Sequence, residues 1–497
     1  MVVIGWGLLS SGCSSGGQAD EAAASSHPWS GVRLIMRCPE PDWLAALQPL
    51  VQSWSYRSGA QVELRSEPMR PADDTDIGIL PAAELGAWAD RGDLALLPAS
   101  FRQSGHAFQW TNVLPPYREH LIEWGGQAQA LPLAGDAYLL VVRGDRLTDP
   151  AVQAAHRRRW GRAAAVPATW EDFAELAGTF TEVSGRPCLP PWTAQQVADL
   201  FFRVAACYDR AAVTDADRVR ATPFQFDSHT AAPRLQTPAF VHAARWLAGL
   251  VQQRCLPQPL SNDGGAAPAL SEGGPIVRSG PSVGQALANG QAFLAVVTLR
   301  DLEQLPRTPS GQVDPRFLLA PLPGSRGYYT EDGRFVPTVT PNYVPYYAGG
   351  WLAVVRQRCP YHDAAFELLS ELGGPTRSLQ ILSTPGLNAG PFRSAHLDRE
   401  RLLIWYIYRL DADRSLHLQD ALRAYVRADV KNPVLGLRAP DQGALQAAAA
   451  SELSRLLIGA APEEVLQRLA AAWERVDAAT PLPVRLRWRQ ISAGFAE

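Results

Sequence analysis

The 497-residue sequence has one Lys among its 46 basic residues, three Met, and six Cys with no C-x-x-C spacing. It also lacks any apolar run near the roughly 18 to 20 residues that a membrane-spanning helix needs, which leaves the chain soluble or merely anchored. With 46 Lys and Arg against 49 Asp and Glu, the net charge is -3, so no basic excess exists to neutralise a phosphate backbone. Nucleic acid is therefore not an expected partner. No Cys/His cluster has zinc spacing, which speaks against a structural metal. H-E-x-x-H, a Walker loop and a dinucleotide fingerprint are absent too, so no cofactor is expected. A Gly-Pro-Ser-Val-Gly match at Gly280 to Gly284 lacks the buried strand a nucleophile elbow requires, because only Pro275 to Val277 precede it in a Gly-rich loop. No catalytic residue is assigned.

What is present is a foldable chain. Hydrophobic residues make up 46% and charged residues 19%, and the length exceeds the roughly 250 to 300 residues at which one core stops growing. Two lobes follow. There are 15 Trp, and several sit among Pro and Gly, where a ring lines a cleft more readily than it fills a core.

The N-terminus reads Met1-Val-Val-Ile-Gly-Trp-Gly-Leu-Leu-Ser-Ser-Gly-Cys13, followed by a polar segment through Ser26. It resembles a bacterial lipoprotein signal, in which small residues admit a peptidase and diacylation of Cys13 supplies two buried chains for anchoring. Ser10 stands where Leu is usual, and no Lys or Arg precedes the apolar stretch. The alternative is an apolar terminus with an ordinary Cys. Outside the cytoplasmic membrane disulfides are permitted, and Cys38, Cys188, Cys207, Cys255 and Cys359 remain. Five is odd, so at least one stays unpaired, and spacing does not choose partners.

Val32 to Cys38 reads as a buried strand, Asp42 to Trp54 as an amphipathic helix, and Gln61 to Leu64 and Asp76 to Leu80 as two more strands. This βαβ alternation predicts a parallel sheet, with ligands beyond the strand C-termini. Gln129 to Arg143 reads as a strand passing between lobes. Helices are predicted over Thr169 to Phe180, Ala194 to Cys207, Thr237 to Gln253 and Pro462 to Ala478, and a long loop over Leu256 to Ser282. Tyr328 to Trp351 is too aromatic and Pro/Gly-broken for a regular core element.

An ordered set of landmarks carries a resemblance: Cys13; D-I-G-I-L-P from Asp76; A-L-P-L-A-G-D-A-Y from Ala130; T-W-E-D-F from Thr169; A-N-G-Q-A-F-L-A-V from Ala288; L-A-P-L-P-G-S from Leu319; G-G-W-L-A-V from Gly349; and the helix ending at Trp473. Over about residues 30 to 478 the chain resembles extracellular solute-binding proteins of carbohydrate ABC importers. The resemblance implies an α/β, two-lobed periplasmic-binding-protein-like fold of type II with discontinuous lobes. Residues 1–30 would be signal and linker, 31–133 plus 297–372 one lobe, 134–296 plus 373–478 the other, and 479–497 a tail that is either solvated or docked. Hinges would fall near Leu133, Val297 and Gly373. It further implies a monomeric lipoprotein at the periplasm or cell surface that hands a sugar or oligosaccharide to a membrane permease.

A sugar site needs aromatic platforms for C–H faces and polar side chains for hydroxyls. The candidates are Asp42 and Trp43 after the first strand, Asp136 and Tyr138 at the first crossing, Trp192, Arg300 and Asp301 at the second, and Tyr343, Tyr346 and Trp351 around Gly350. Arg393 either contacts ligand or caps the preceding turn. Trp43 either lines the cleft or packs on its own helix, and Trp351 either lines it or begins a core strand. Asp136, an acid amid apolar residues, must be paired or solvated. Two other readings stay open: a glycoside hydrolase using carboxylates such as Glu331 and Asp332, and a binding protein that senses or adheres without transport.

Overall fold

The computed structural model describes residues 27–212, 224–257, 282–400, 409–427, 430 and 433–495; Cys13 and most of the loop after Leu256 lie outside them. None of the helices described is long and apolar enough to cross a membrane.

Four strands open the first sheet: β1 (Arg33–Arg37), β2 (Gln61–Arg65), β3 (Ile77–Pro81) and β4 (Leu131–Ala134). The chain then crosses to a second sheet through β5 (Tyr138–Arg143), β6 (Leu294–Thr298) and β7 (Phe317–Ala320), and returns to the first with β8 (Trp351–Val355). The first sheet runs β2-β1-β3-β8-β4, the second β6-β5-β7. β1 lies parallel to β2 and β3, whereas β8 inserts antiparallel between β3 and β4. Ile77, Ile79, Leu80, Leu131, Leu133 and Leu352 to Val355 are all buried, the near-continuous apolar pattern of strands covered on both faces.

Between β1 and β2 runs helix α1 (Pro41–Ser58). Pro41 sits in its first turn, and Gly59, at φ 79°, ends it by donating its N–H to the Ser55 carbonyl at 2.9 Å. Trp43, Leu47, Leu50, Val51 and Trp54 form its buried stripe. The second lobe adds α2 (Trp170–Ser184), α3 (Ala194–Asp209) and α4 (Pro238–Gln252). At the start of α2, Thr169 and Asp172 exchange side-chain to backbone hydrogen bonds of 3.1 and 3.2 Å, and Phe173, Leu176, Ala177 and Phe180 face inward. Helices α5 (His362–Gly373) and α6 (Pro375–Leu382) pack on β4 and α1, while α7 (Ala412–Tyr425) lies on β5 and β7. Finally α8 (Gln442–Leu453) and α9 (Pro462–Asp477) pack on α3 and α4, with Trp170, Trp246 and Trp473 in the core as their helical spacing predicts.

Three features depart from the sequence expectation. The switch of lobe does not fall at Val297, because β6 and β7 both pair with β5; the return to the first sheet comes at Trp351. Nor does it fall at Gly373, since α6 stays on the first lobe. An apolar run states that a strand is buried but not which neighbour it bonds. The aromatic segment after Tyr328 is not wholly irregular: Ser325–Tyr329 and Phe335–Asn342 form an antiparallel ribbon, its turn made by Gly333 at φ 82°. Pro337 is tolerated there because it sits exposed on a two-stranded edge.

The tail is a docked helix, α10 (Leu482–Ser492), that touches both lobes. On the second-lobe side Arg489 is fully buried, donating to Asp441 at 2.8 and 2.5 Å and to Asp477 at 2.6 Å. On the first-lobe side Arg487 pairs with Asp90, just after β3 and its short following helix, and Trp488 Nε1 donates to the same carboxylate at 3.0 Å. Removing one partner of a buried ion pair strands the other's charge, which costs about 3 to 5 kcal/mol. Arg489→Ala is expected to lower the melting midpoint by roughly 3 to 5 °C; a thermal melt unchanged from wild type would show that α10 contributes nothing to the fold.

Candidate functional site

The crossing from β4 to β5 consists of Gly135, Asp136 and Ala137. Gly135 exchanges backbone hydrogen bonds of 2.8 and 2.9 Å with Gly390, so the chain after α6 is laced to the crossing. A Cβ on Gly135 would lie 2.2 Å from the Tyr117 hydroxyl, and one on Gly390 only 1.8 Å from the Asp136 carbonyl, so only glycine fits at either position.

Asp136 is buried and satisfied from four sides. Its Oδ2 accepts the N–H groups of Gly349 at 3.1 Å and Ala348 at 3.3 Å, and the Tyr425 hydroxyl at 3.0 Å; Arg203 stands 3.7 Å away. A Cβ on Gly349 would fall 2.1 Å from Oδ1, which explains a glycine here. Arg203, from α3, donates to the Tyr346 carbonyl at 2.8 Å and to the Tyr425 oxygen at 3.0 Å, and its guanidinium lies 3.7 Å from the Tyr138 ring centroid. Tyr425 comes from the end of α7. A carboxylate, a guanidinium and a hydroxyl from three elements thus neutralise one another at the junction of the lobes.

Several of the expected site side chains keep part of their surface open. Tyr138 is half-buried, and burial pushes its phenol up to about 12. Trp192, immediately before α3, and Trp351, opening β8, are also half-buried. One turn ahead of Arg203 on the same helix, Asp199 accepts a hydrogen bond from Gln195 at 3.0 Å, and burial holds its carboxyl above the usual range. Gly350, at φ 100°, donates no side chain, leaving backbone beside Trp351. Of these, Tyr138 and Asp199 lie beside the Arg203 guanidinium.

The other expected site residues fare differently. Asp42 and Arg300 meet each other across the lobes at 2.6 Å, both partly exposed, while Arg300 Nε also donates to the Gly386 carbonyl at 2.9 Å. Trp43 retains 2% of its surface and backs Trp351, ring centroids 5.5 Å apart; the helical packing alternative holds for it. Trp351 starts a core strand, with its side chain half-buried. Asp301 is buried and accepts the N–H and hydroxyl of Thr298, each at 2.8 Å, capping the short turn Leu299–Leu302. Tyr343 and Tyr346 are buried as walls rather than platforms. Arg393 is fully enclosed, bonds the Gly373 carbonyl at the end of α5 at 2.9 and 2.5 Å and the Gln109 carbonyl at 3.3 Å, lies against Phe108, and is pushed down to about 9 by burial; it caps a distant helix end rather than the turn preceding it.

Sequence reasoning passed over Arg203, Asp199, Gln195 and Tyr425. The signal was there, in an Arg within the run L-F-F-R-V-A-A-C, where a charge on a buried helical face must have a partner.

No family model matches the chain, and no curated protein matches it in sequence. Solved structures do match its fold. The sugar-binding protein MalE from the phytopathogen Xanthomonas citri is 14% identical at a TM-score of 0.63, with 90% of this chain and 98% of that one covered. An ABC substrate-binding protein from Listeria monocytogenes in complex with cycloalternan is 14% identical at 0.59, with the same coverage. UgpB from Mycobacterium tuberculosis in complex with glycerophosphocholine is 16% identical at 0.58, again over 90% and 98%. The chain therefore has the two-lobed α/β fold of these binding proteins.

Because burial raises the Asp199 carboxyl, its ionised form weakens the fold. That penalty is absent below the ordinary carboxylate range and grows as pH rises through the raised folded value. Asp199→Asn is expected to melt above wild type at neutral pH, with the gain vanishing in acid. Melts across that range that run parallel would refute it.

Proposed function

We propose that this protein is an extracytoplasmic solute-binding protein that captures a sugar or oligosaccharide between its lobes and delivers it intact to an ABC permease. The observation that supports this reading is the fold shared with sugar-binding proteins, together with the partly open Tyr138 and Asp199 beside the buried Asp136–Arg203–Tyr425 knot; Trp192 and Trp351 are further candidate rings. Such rings take C–H faces of a pyranose, while Gln195, Asp199 and the backbone at Gly349 and Gly350 offer partners for hydroxyls. Cycloalternan, the ligand named for one of the similar folds, is a hydroxyl-rich saccharide and supports this chemistry.

Capture is a population shift. A ligand that touches both lobes binds the closed form better, and that differential affinity sets the closed fraction the permease reads. The Asp42–Arg300 pair spans the same gap; being solvent-exposed it adds about 0 to 1 kcal/mol, a bias and not a lock. No bond of the solute is broken in this scheme. Cys13 would carry the lipid that keeps a monomeric binder beside its permease.

The test is a thermal-shift panel of mono- and oligosaccharides and glycerophosphodiesters, with each solute recovered afterwards. A ligand at 100 times its Kd stabilises by about 2.7 kcal/mol. One solute class should raise the midpoint and be recovered intact, and Tyr138→Ala or Trp192→Ala should weaken its binding by roughly tenfold or more. Recovered cleavage products would overturn the reading in favour of an enzyme, and a flat panel would remove the sugar. In cells, Cys13→Ser is expected to move the protein from the membrane fraction to the soluble one; a variant that stays with the membrane would exclude lipidation at that thiol.

A further inference from the structure

Five cysteines are described, all buried, and two of them meet. Cys188 follows α2 and Cys255 follows α4. The Cys188 N–H donates to the Cys255 carbonyl at 3.0 Å, and the Leu189 N–H donates to the same carbonyl at 2.9 Å. Such a backbone bond holds the two residues side by side, the proximity that closing a disulfide requires. The Cys188 thiol donates to the Ala177 carbonyl at 3.2 Å and the Cys255 thiol to the Gln253 carbonyl at 3.9 Å, and each thiol is perturbed electrostatically by the other. No comparable partner faces the rest: Cys38 contacts the Glu40 carbonyl, Cys207 the Val344 carbonyl, and Cys359 lies near Asp76.

We infer that Cys188 and Cys255 form a structural disulfide, a modification that closes the base of the helical insert carrying Trp192, Asp199 and Arg203. The two ends are already held in register. The Cys188 carbonyl accepts the Phe293 N–H at 2.7 Å, so the bridge also fastens the insert to the residue preceding β6. Strands of chain between residues 189 and 254 would then fold within a covalent loop, and the unfolded ensemble is constrained accordingly.

The chemistry is thiol–disulfide exchange with a disulfide oxidant, protein-borne or small. Cys255 is the better nucleophile, because its thiol, beside Cys188, lies below the usual cysteine range, whereas burial pushes Cys188 up. During folding the Cys255 thiolate attacks the oxidant, forming a mixed disulfide and expelling one thiolate. The Cys188 thiolate then attacks the Cys255 sulfur, expelling the second. Two electrons pass to the oxidant, which leaves as two thiols carrying the two protons.

The test is made on the full chain, folded with oxidised and reduced glutathione, unfolded without reductant, alkylated and mapped by mass spectrometry. A Cys188–Cys255 peptide pair two hydrogens lighter than the sum of its reduced parts is expected, with Cys38, Cys207 and Cys359 alkylated. Alkylation of both Cys188 and Cys255, or a bridge joining other cysteines, would overturn the assignment. Cys188→Ala and Cys255→Ala separately should lower the oxidised chain's melting midpoint by similar amounts, roughly 5 °C or more, with the double variant lower by no more than either. Additive losses that persist under reduction would mark packing alone and also overturn it. Solute binding plays no part in these readouts: a bridged chain that binds no sugar defeats only the transport reading, and a sugar-binding chain with both thiols alkylated defeats only the bridge.

Discussion

One buried carboxylate organises the centre of this molecule. Asp136 sits in the three-residue crossing between sheets, where an ionised group costs several kcal/mol unless it is fully compensated. Compensation comes from the Gly349 and Ala348 N–H groups on the returning strand, the Tyr425 hydroxyl from α7 and Arg203 from α3. Elements separated by two hundred residues are thereby held at one point. The glycines at 135, 349 and 390 are consequences of that arrangement, because a Cβ at any of them would overlap an atom of Asp136, Tyr117 or the adjoining backbone.

The polar side chains around the knot differ in how fully their hydrogen bonds are committed. Arg203, Tyr425, Arg393 and Asp301 have their hydrogen bonds directed to backbone or to each other, which makes them poor contacts for a solute. Asp199 and Gln195, by contrast, bond mainly to one another on a half-buried helical face. The aromatic residues divide likewise, with Trp43 backing Trp351 from behind so that the outer ring is held firmly.

Much of this was legible in the sequence where a local rule governs. Thr169 with Asp172 marks a helix start because the capping box is satisfied within four residues, and Pro41, Pro238 and Pro462 sit in first turns for the same local reason. Asp136 could be singled out because an acid among apolar residues needs an explanation. What stayed hidden depends on long-range choice. β6 and β7 look alike whether they join the first sheet or the second, and Arg393 looks like a ligand contact until Gly373 and Phe108 close over it. Arg203 was missed because its partners lie in segments far along the chain.

The docked helix α10 has a kinematic meaning. Two bodies joined only at a crossing can bend and twist relative to each other. A further attachment, where Asp90 on one body and Asp441 and Asp477 on the other grip the same helix, ties them at a point away from the crossing. Any twist of one body against the other would have to break those ion pairs or carry the helix along.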